Sequence, residues 1–386
     1  MSDAWNPRAT LEQALLENFD DLTTHSAYAD RLMDEGDLRG DYIRLLLILE
    51  RSDISHRERQ AAQQESWELF RIYERAWLGE LAPLLLDDYP NPADPIETNT
   101  EFECTRGWLT RLRIVRLRQG FGQILARSPA ARLLRELVIV RWDEGASLRD
   151  FAAGDILAGV KDFSIGEPQS SLRTISGEDV AEAVEPMKRL ERLQIHTQVE
   201  NAEPVAQLNF PLLHTLRIRT GQTVPFDAWA NNLSLGNLRD LAVFVSDPDE
   251  LAVDPEMVIA STPISFDTIR QFVRAPQLQG LTHVRLYIQQ LGSSIIAALA
   301  MGECWPQLEE LDLSHTNVTD ADILSLGDLS RWPKLRSILV HGTAVTHDIT
   351  GRYVDGPVRI VNHDLLFNDF GDDLPLGGTE IQFEDQ

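Results

Sequence analysis

The spacing of apolar positions changes near residue 107 of this 386-residue chain. Up to about Leu86 they recur every three or four residues, the period of helices that pack on one another. A first helix would carry Leu11, Leu15 and Leu16, and a second Tyr28, Ala29, Leu32 and Met33. A third would carry Tyr42, Ile43, Leu46, Leu47 and Leu49, and a long fourth would run through Trp67, Phe70, Trp77, Leu78 and Leu81. Thr10-x-x-Gln13 and Ser55-x-x-Glu58 have the capping-box pattern, in which a hydroxyl and a later side chain satisfy free backbone N–H groups. Gly36 suits the left-handed position after the second helix, and Asp37 is placed to cap the third.

From Gly107 onward the repeated pattern is L-x-x-L-x-L, with aliphatic substitutions. It occurs at Leu109-Leu112-Ile114, Leu134-Leu137-Ile139, Leu190-Leu193-Ile195, Leu213-Leu216-Ile218 and Leu238-Leu241-Val243, and more faintly at Val160-Phe163-Ile165. After a longer gap come Leu281-Val284-Leu286, Leu308-Leu311-Leu313 and Leu335-Ile338-Val340. Most steps are roughly 23 to 30 residues, the period of leucine-rich repeats. A strand alternates its side chains, so the last two aliphatics of each copy point into a core and the residues between them point out. One such unit cannot bury its own apolar face, whereas stacked neighbours build a continuous core. The pattern therefore predicts an α/β fold: a leucine-rich-repeat solenoid with a curved, mainly parallel sheet, preceded by a small all-α helical domain. The expected divisions are a helical domain over 1–92, a linker over 93–106, the array over 107–362 and an acidic tail over 363–386, with Tyr89 to Pro95 as Pro/Asp-rich connecting chain.

The cleanest copy runs from Leu308 into the next repeat, with Thr316 and Thr343 where many such repeats carry Asn; there a hydroxyl can satisfy backbone groups at the turn. Trp142, Gln198, Gly221, Ser246 and Gln289 stand at that position elsewhere, so no regular asparagine ladder is expected. Residues 141–185 and 247–280 read as loop-rich repeats or insertions. Val358 to Val361 reads as a last strand that caps the array.

The helical segment contains Tyr28-Ala29-Asp30, Leu32, Glu35-Gly36-Asp37, Arg39-Gly40, Tyr42-Ile43 and Arg44. In order and spacing these residues resemble the repeat-companion domain of planctomycete and myxobacterial proteins, whose core is similar to YADWLEERGDPRGEFIRLQ. The resemblance covers roughly forty residues. It departs at Arg31, where the family usually has Trp. It implies a bacterial source and leucine-rich repeats downstream, and it implies no catalytic residue. Asp30 is expected to pair with Arg39 or Arg44 at the helix–helix turn.

The formal net charge is −26. Such a surface repels phosphate backbones and anionic lipid, which disfavours nucleic acid and membrane surfaces as partners. Two cysteines, Cys104 and Cys304, are too few and too far apart for a disulfide framework or a zinc site. Cys304 reads as a buried structural thiol. The N-terminus lacks an apolar signal segment, and the apolar run Ile295 to Met301 is too short to span a bilayer, so a cytoplasmic location is expected. No phosphate loop, dinucleotide fingerprint, nucleophile elbow or zinc-protease motif occurs, so no catalytic residue, cofactor or metal is expected. His315, His341 and His347, with Asp320 and Asp348 near, read as surface residues rather than a metal site.

Alternation along the middle strands sends Arg192, Gln194, His196, Arg217, Arg219, Phe244, His283, Arg285 and Tyr287 away from the core. Arginine and tyrosine are enriched at binding hot spots. The expected function is a non-catalytic scaffold holding another protein on the concave sheet face, through Arg192, His196, Arg217, Arg219, Phe244, Arg285 and Tyr287. The alternative is an enzyme or enzyme subunit with a site between the helical domain and the array. Crowded arginines need counter-charge, for which Asp240, Glu191 or the acidic tail from Asp369 are candidates.

Overall fold

The computed structural model describes residues 6–87, 100–166, 174–221, 224–245, 264–302, 305–327, 329–353 and 356–362. The expected linker at Tyr89 to Pro95, Ser246, Cys304 and the acidic tail lie outside the described residues.

Four helices open the chain: α1 (Pro7–Glu17), α2 (Leu22–Asp34), α3 (Arg39–Glu50) and α4 (His56–Leu78). The expected box at Ser55 and Glu58 caps α4 from both directions. The expected start at Thr10 is displaced: Asn6 is the cap of α1, with Pro7 pre-set in its first turn, so Thr10 lies inside the helix. The Asp37 side chain accepts the Arg39 N–H at 3.0 Å, and Gly36 takes the left-handed conformation at φ +76. Asp30 is exposed and forms no ion pair with Arg39 or Arg44. Both arginines are directed elsewhere.

Among the described residues the rest is built on one sheet of twelve strands: β1 (Glu101–Thr105), β2 (Trp108–Leu117), β3 (Glu136–Trp142), β4 (Asp162–Ile165), β5 (Thr174–Ile175), β6 (Arg192–Val199), β7 (Thr215–Thr220), β8 (Asp240–Val245), β9 (His283–Tyr287), β10 (Glu310–Asp312), β11 (Ser337–Leu339) and β12 (Arg359–Val361). From β2 to β12 the pairing is parallel and follows chain order, with β5 a short extra strand beside β6. Each of the nine repeat copies supplies one strand, including the faint one, whose Phe163 and Ile165 are buried. Short helices and 3-10 turns return the chain between strands and cover one face of the sheet. Their Phe226, Trp229, Phe272 and Ile295 join the strand aliphatics in one core that reaches from Leu78 to Ile360. This is a leucine-rich-repeat solenoid preceded by a helical domain.

Two features depart from the expectation. β1 lies within the stretch expected to be linker, and it pairs antiparallel with β2, folding back over the first edge of the sheet. The helices also dock tightly on that edge. Tyr28 and Trp108 rings lie 4.8 Å apart, and Trp108 and Leu133 complete the helical core. Arg39 donates from Nε and Nη2 to the Gly107 carbonyl at 3.2 and 2.9 Å, with its guanidinium 4.3 Å over the Trp108 ring. Arg106 grips both Glu50 carboxylate oxygens at 2.6 and 2.9 Å. A Cβ on Gly107 would stand 2.6 Å from Ile43, and one on Gly40 would stand 2.5 Å from the Ala29 carbonyl oxygen. Glycine at these two points lets the hairpin reach α3, and α3 reach α2.

Candidate binding face

Parallel pairing in near-constant register turns the outward positions of successive strands into rows across the sheet. The first row is Asp162, Arg192, Thr215, Asp240, His283 and Glu310. The second is Ser164, Gln194, Arg217, Ala242, Arg285 and Asp312. The third lies at the C-terminal ends of the strands and contains Gln198, Arg219, Phe244 and Tyr287. An irregularity in β6 between Ile195 and Gln198 places His196 beside this third row. The seven expected site residues thus share one face but divide among three rows: Arg192 in the first, Arg217 and Arg285 in the second, and His196, Arg219, Phe244 and Tyr287 along the third.

The first two rows are largely neutralised within the protein. Arg192 faces Asp162 at 3.5 Å, Arg217 bonds Asp240 at 3.0 Å and Arg285 reaches Glu310 at 3.5 Å. The last two pairs repeat one diagonal: an arginine in the second row meets a carboxylate in the first row of the following strand. Asp240 therefore serves as counter-charge, as the sequence suggests. Glu191 instead serves Lys161 at 2.5 Å and His214 at 3.8 Å. Burial works against the charge of Arg285, yet Asp240, Glu310, Tyr287 and Asp312 together hold it above the ordinary arginine value. Burial raises the Asp162 carboxyl, with Arg192 opposing.

The third row has a different character. The Phe244 and Tyr287 rings stack at 4.7 Å, and the Tyr287 hydroxyl donates to Asp312. Beyond Tyr287 the row continues through His315, whose ring lies 6.3 Å away. His315 occupies the left-handed region at φ +57, and its N–H donates to the His341 carbonyl at 2.6 Å. His196 is mostly buried. Burial first, then Arg217 and Arg219, push its imidazole down to about 4, so it is neutral near pH 7. The result is a ledge of stacked aromatic rings flanked by arginine and imidazole at the strand ends.

The sequence singled out His315 and His341 only as surface residues; the structure places them on adjacent turns and continues the aromatic row to His315. The irregularity in β6 left no mark in the L-x-x-L-x-L pattern, which ends at Ile195. Asp240 and Glu310, by contrast, both precede the second leucine of their copies, and that shared position is the signal that could have found the diagonal pairs. Among the described residues no group of three or more His, Cys, Asp or Glu is arranged to hold a metal ion, and no helix is long and apolar enough to cross a membrane.

No protein-family model and no curated protein matches the chain. Among solved structures it is similar to a protein of Bacteroides fragilis, with 15% identity over 78% of this chain and 83% of that one, at a TM-score of 0.46. It is also similar to an LRR protein of Leptospira interrogans, with 13% identity over 64% of this chain and 76% of that one, at a TM-score of 0.28.

Proposed function

We propose that the protein is a binding scaffold that holds another protein against the solvent face of its parallel sheet. A stacked solenoid presents one long surface built from equivalent positions, suited to an extended contact. The observation that carries the reading is the third row, where Arg219, the Phe244–Tyr287 stack and His196 converge at the strand ends. Aromatic rings bury much area at low entropic cost, and together with arginine they dominate interface energetics. The paired Arg192, Arg217 and Arg285 flank this ledge and supply register rather than bulk affinity.

The pairing decides which substitutions test the idea. Arg217→Glu would set a carboxylate against Asp240 and disturb the sheet itself. Arg219→Ser with Phe244→Ser instead truncates two anchors of the ledge. With the partner identified by affinity purification from the source cells and then purified, this double variant should bind at least about thirtyfold more weakly, because one truncated anchor typically costs about 2 kcal/mol. Its circular dichroism should be unchanged. Full affinity in a folded double variant would move the binding site off this face.

A further inference from the structure

The chain leaves the sheet at the end where the third row lies. β12 is parallel to the strands before it, so Asn362, which follows it, stands at the C-terminal ends of the strands. The Asn362 side chain donates to the Val345 carbonyl at 2.7 Å and ties down that exit. From there towards the ledge come the turns after β11 and β10, which hold His341 and His315, and then Tyr287, Phe244 and Arg219 on β9, β8 and β7. At the usual strand spacing, β12 and β7 are about 24 Å apart. An extended chain covers about 3.3 Å per residue, so residues 363–370 are enough to reach from Asn362 to Arg219.

The composition of that stretch complements the row. Residues 363–386 contain no lysine or arginine, and their first half carries Asp364, Asp369, Asp372 and Asp373 among leucine and phenylalanine. Among the described residues the third row holds an arginine, imidazoles and two stacked rings but no carboxylate; Asp312, which takes the Tyr287 hydroxyl, belongs to the second row. The local field is positive enough that Arg217 and Arg219 both oppose a charge on His196. In a chain of formal net charge −26 an acidic segment is repelled from most of the surface and attracted here. Carboxylates gain charge-assisted hydrogen bonds from arginine, and a phenylalanine beside Phe244 and Tyr287 lengthens their stack. A segment tethered this close has an effective concentration on the order of millimolar, so weak contacts suffice to hold it.

We infer that residues 363–386 of the same molecule occupy the third row, with Asp369 and Phe370 at Arg219 and Phe244, and that a partner protein must displace them. The inference rests on the reading of this ledge as the partner site. It adds the kind of ligand the ledge takes, an acidic segment bearing leucine and phenylalanine, and a competitor for that ligand built into the chain.

The test uses the purified full-length protein with a benzophenone side chain in place of Phe244 and, in a second protein, in place of Gln198, which neighbours Arg219 on β6. Each is mixed with heavy-isotope-labelled copies, irradiated in dilute solution and cut with trypsin, which releases 360–386 as one peptide because Arg359 is the last arginine or lysine. Mass spectrometry should find residues 363–386 joined to position 244 and to position 198, within single molecules. The Gln198 protein keeps the test intact if the Phe244 protein does not fold. Asp364→Asn, Asp369→Asn, Asp372→Asn and Asp373→Asn together should lower the yield at least about threefold, since a single exposed ion pair is worth up to about fivefold in binding. No crosslink to 363–386 from either position, crosslinks confined to 246–263, crosslinks only between light and heavy copies, or an unaltered yield in the Asn variant would overturn the inference. No partner is present in this experiment, so its failure is distinct from a failure of the scaffold reading.

Discussion

His196 gives the sheet face a stability that depends on pH in a predictable direction. Its imidazole lies on the irregular part of β6, withdrawn from water and near two arginines. In the unfolded chain it takes up a proton at the ordinary value of 6.5, whereas in the native protein it resists until about 4. Between those values unfolding binds a proton, so stability rises with pH across that window. The contribution is fully present above about 6.5 and is lost as the pH falls towards 4. A difference of that size corresponds to about 3 kcal/mol. His196→Gln keeps a polar side chain of similar reach but cannot titrate. Urea denaturation of both proteins from pH 7.5 down to pH 4.5 would measure the difference, because the acid losses from other groups are common to the two. The wild type should lose about 2–3 kcal/mol more than the variant over this range. Parallel stability curves, or a His196 resonance that titrates near 6.5 in the native protein, would refute the reasoning.

Other perturbations follow from the packing. Leu311 is 1% exposed in β10, and Leu311→Ala should cost about 2–5 kcal/mol through the cavity it leaves, seen as a lower urea midpoint. The Thr316 hydroxyl donates to the Leu313 carbonyl at 2.6 Å in a buried turn, so Thr316→Val, nearly equal in shape, should cost about 1–3 kcal/mol by leaving that acceptor unmet. Gly40→Ala would press a methyl group onto the Ala29 carbonyl and Met33, and should destabilise the helical domain by about 1–3 kcal/mol. Limited proteolysis within residues 6–50 should then accelerate, while the distant repeats keep their protection.

What the sequence made legible follows from periodicity. Each aliphatic triplet from Leu109 to Val340 marked a strand, because a period of two fixes which side chains enter the core. The faint copy at Val160 was equally real; its Phe163 fills the place of a leucine at 1% exposure. β1 was hidden because Phe102 and Cys104 are the only apolar residues in it and the strand pairs backwards, so no repeat pattern announces it. The roles of the Tyr28, Arg39 and Gly40 positions emerge only in three dimensions. Gly40 admits α2, Arg39 holds the hairpin carbonyl, and Tyr28 meets Trp108, and each of these contacts joins residues distant along the chain. The Asp30 pairing failed for the same reason, since Arg39 is drawn to Gly107 rather than to its sequence neighbour. On the sheet face, alternation correctly sent the arginines outward, but their crowding was overestimated because the carboxylates that offset them sit one strand away.

The most direct test of the central claim is site-specific photo-crosslinking in the source cells. A benzophenone side chain would replace Phe244 on the ledge, and in a control protein Leu324, which is 48% exposed on a helix away from the strands. The scaffold reading predicts a discrete crosslinked protein from position 244, lost when Arg219→Ser is added, and none of the same mass from position 324. Crosslinks to the same protein from position 324 but not from position 244 would contradict it.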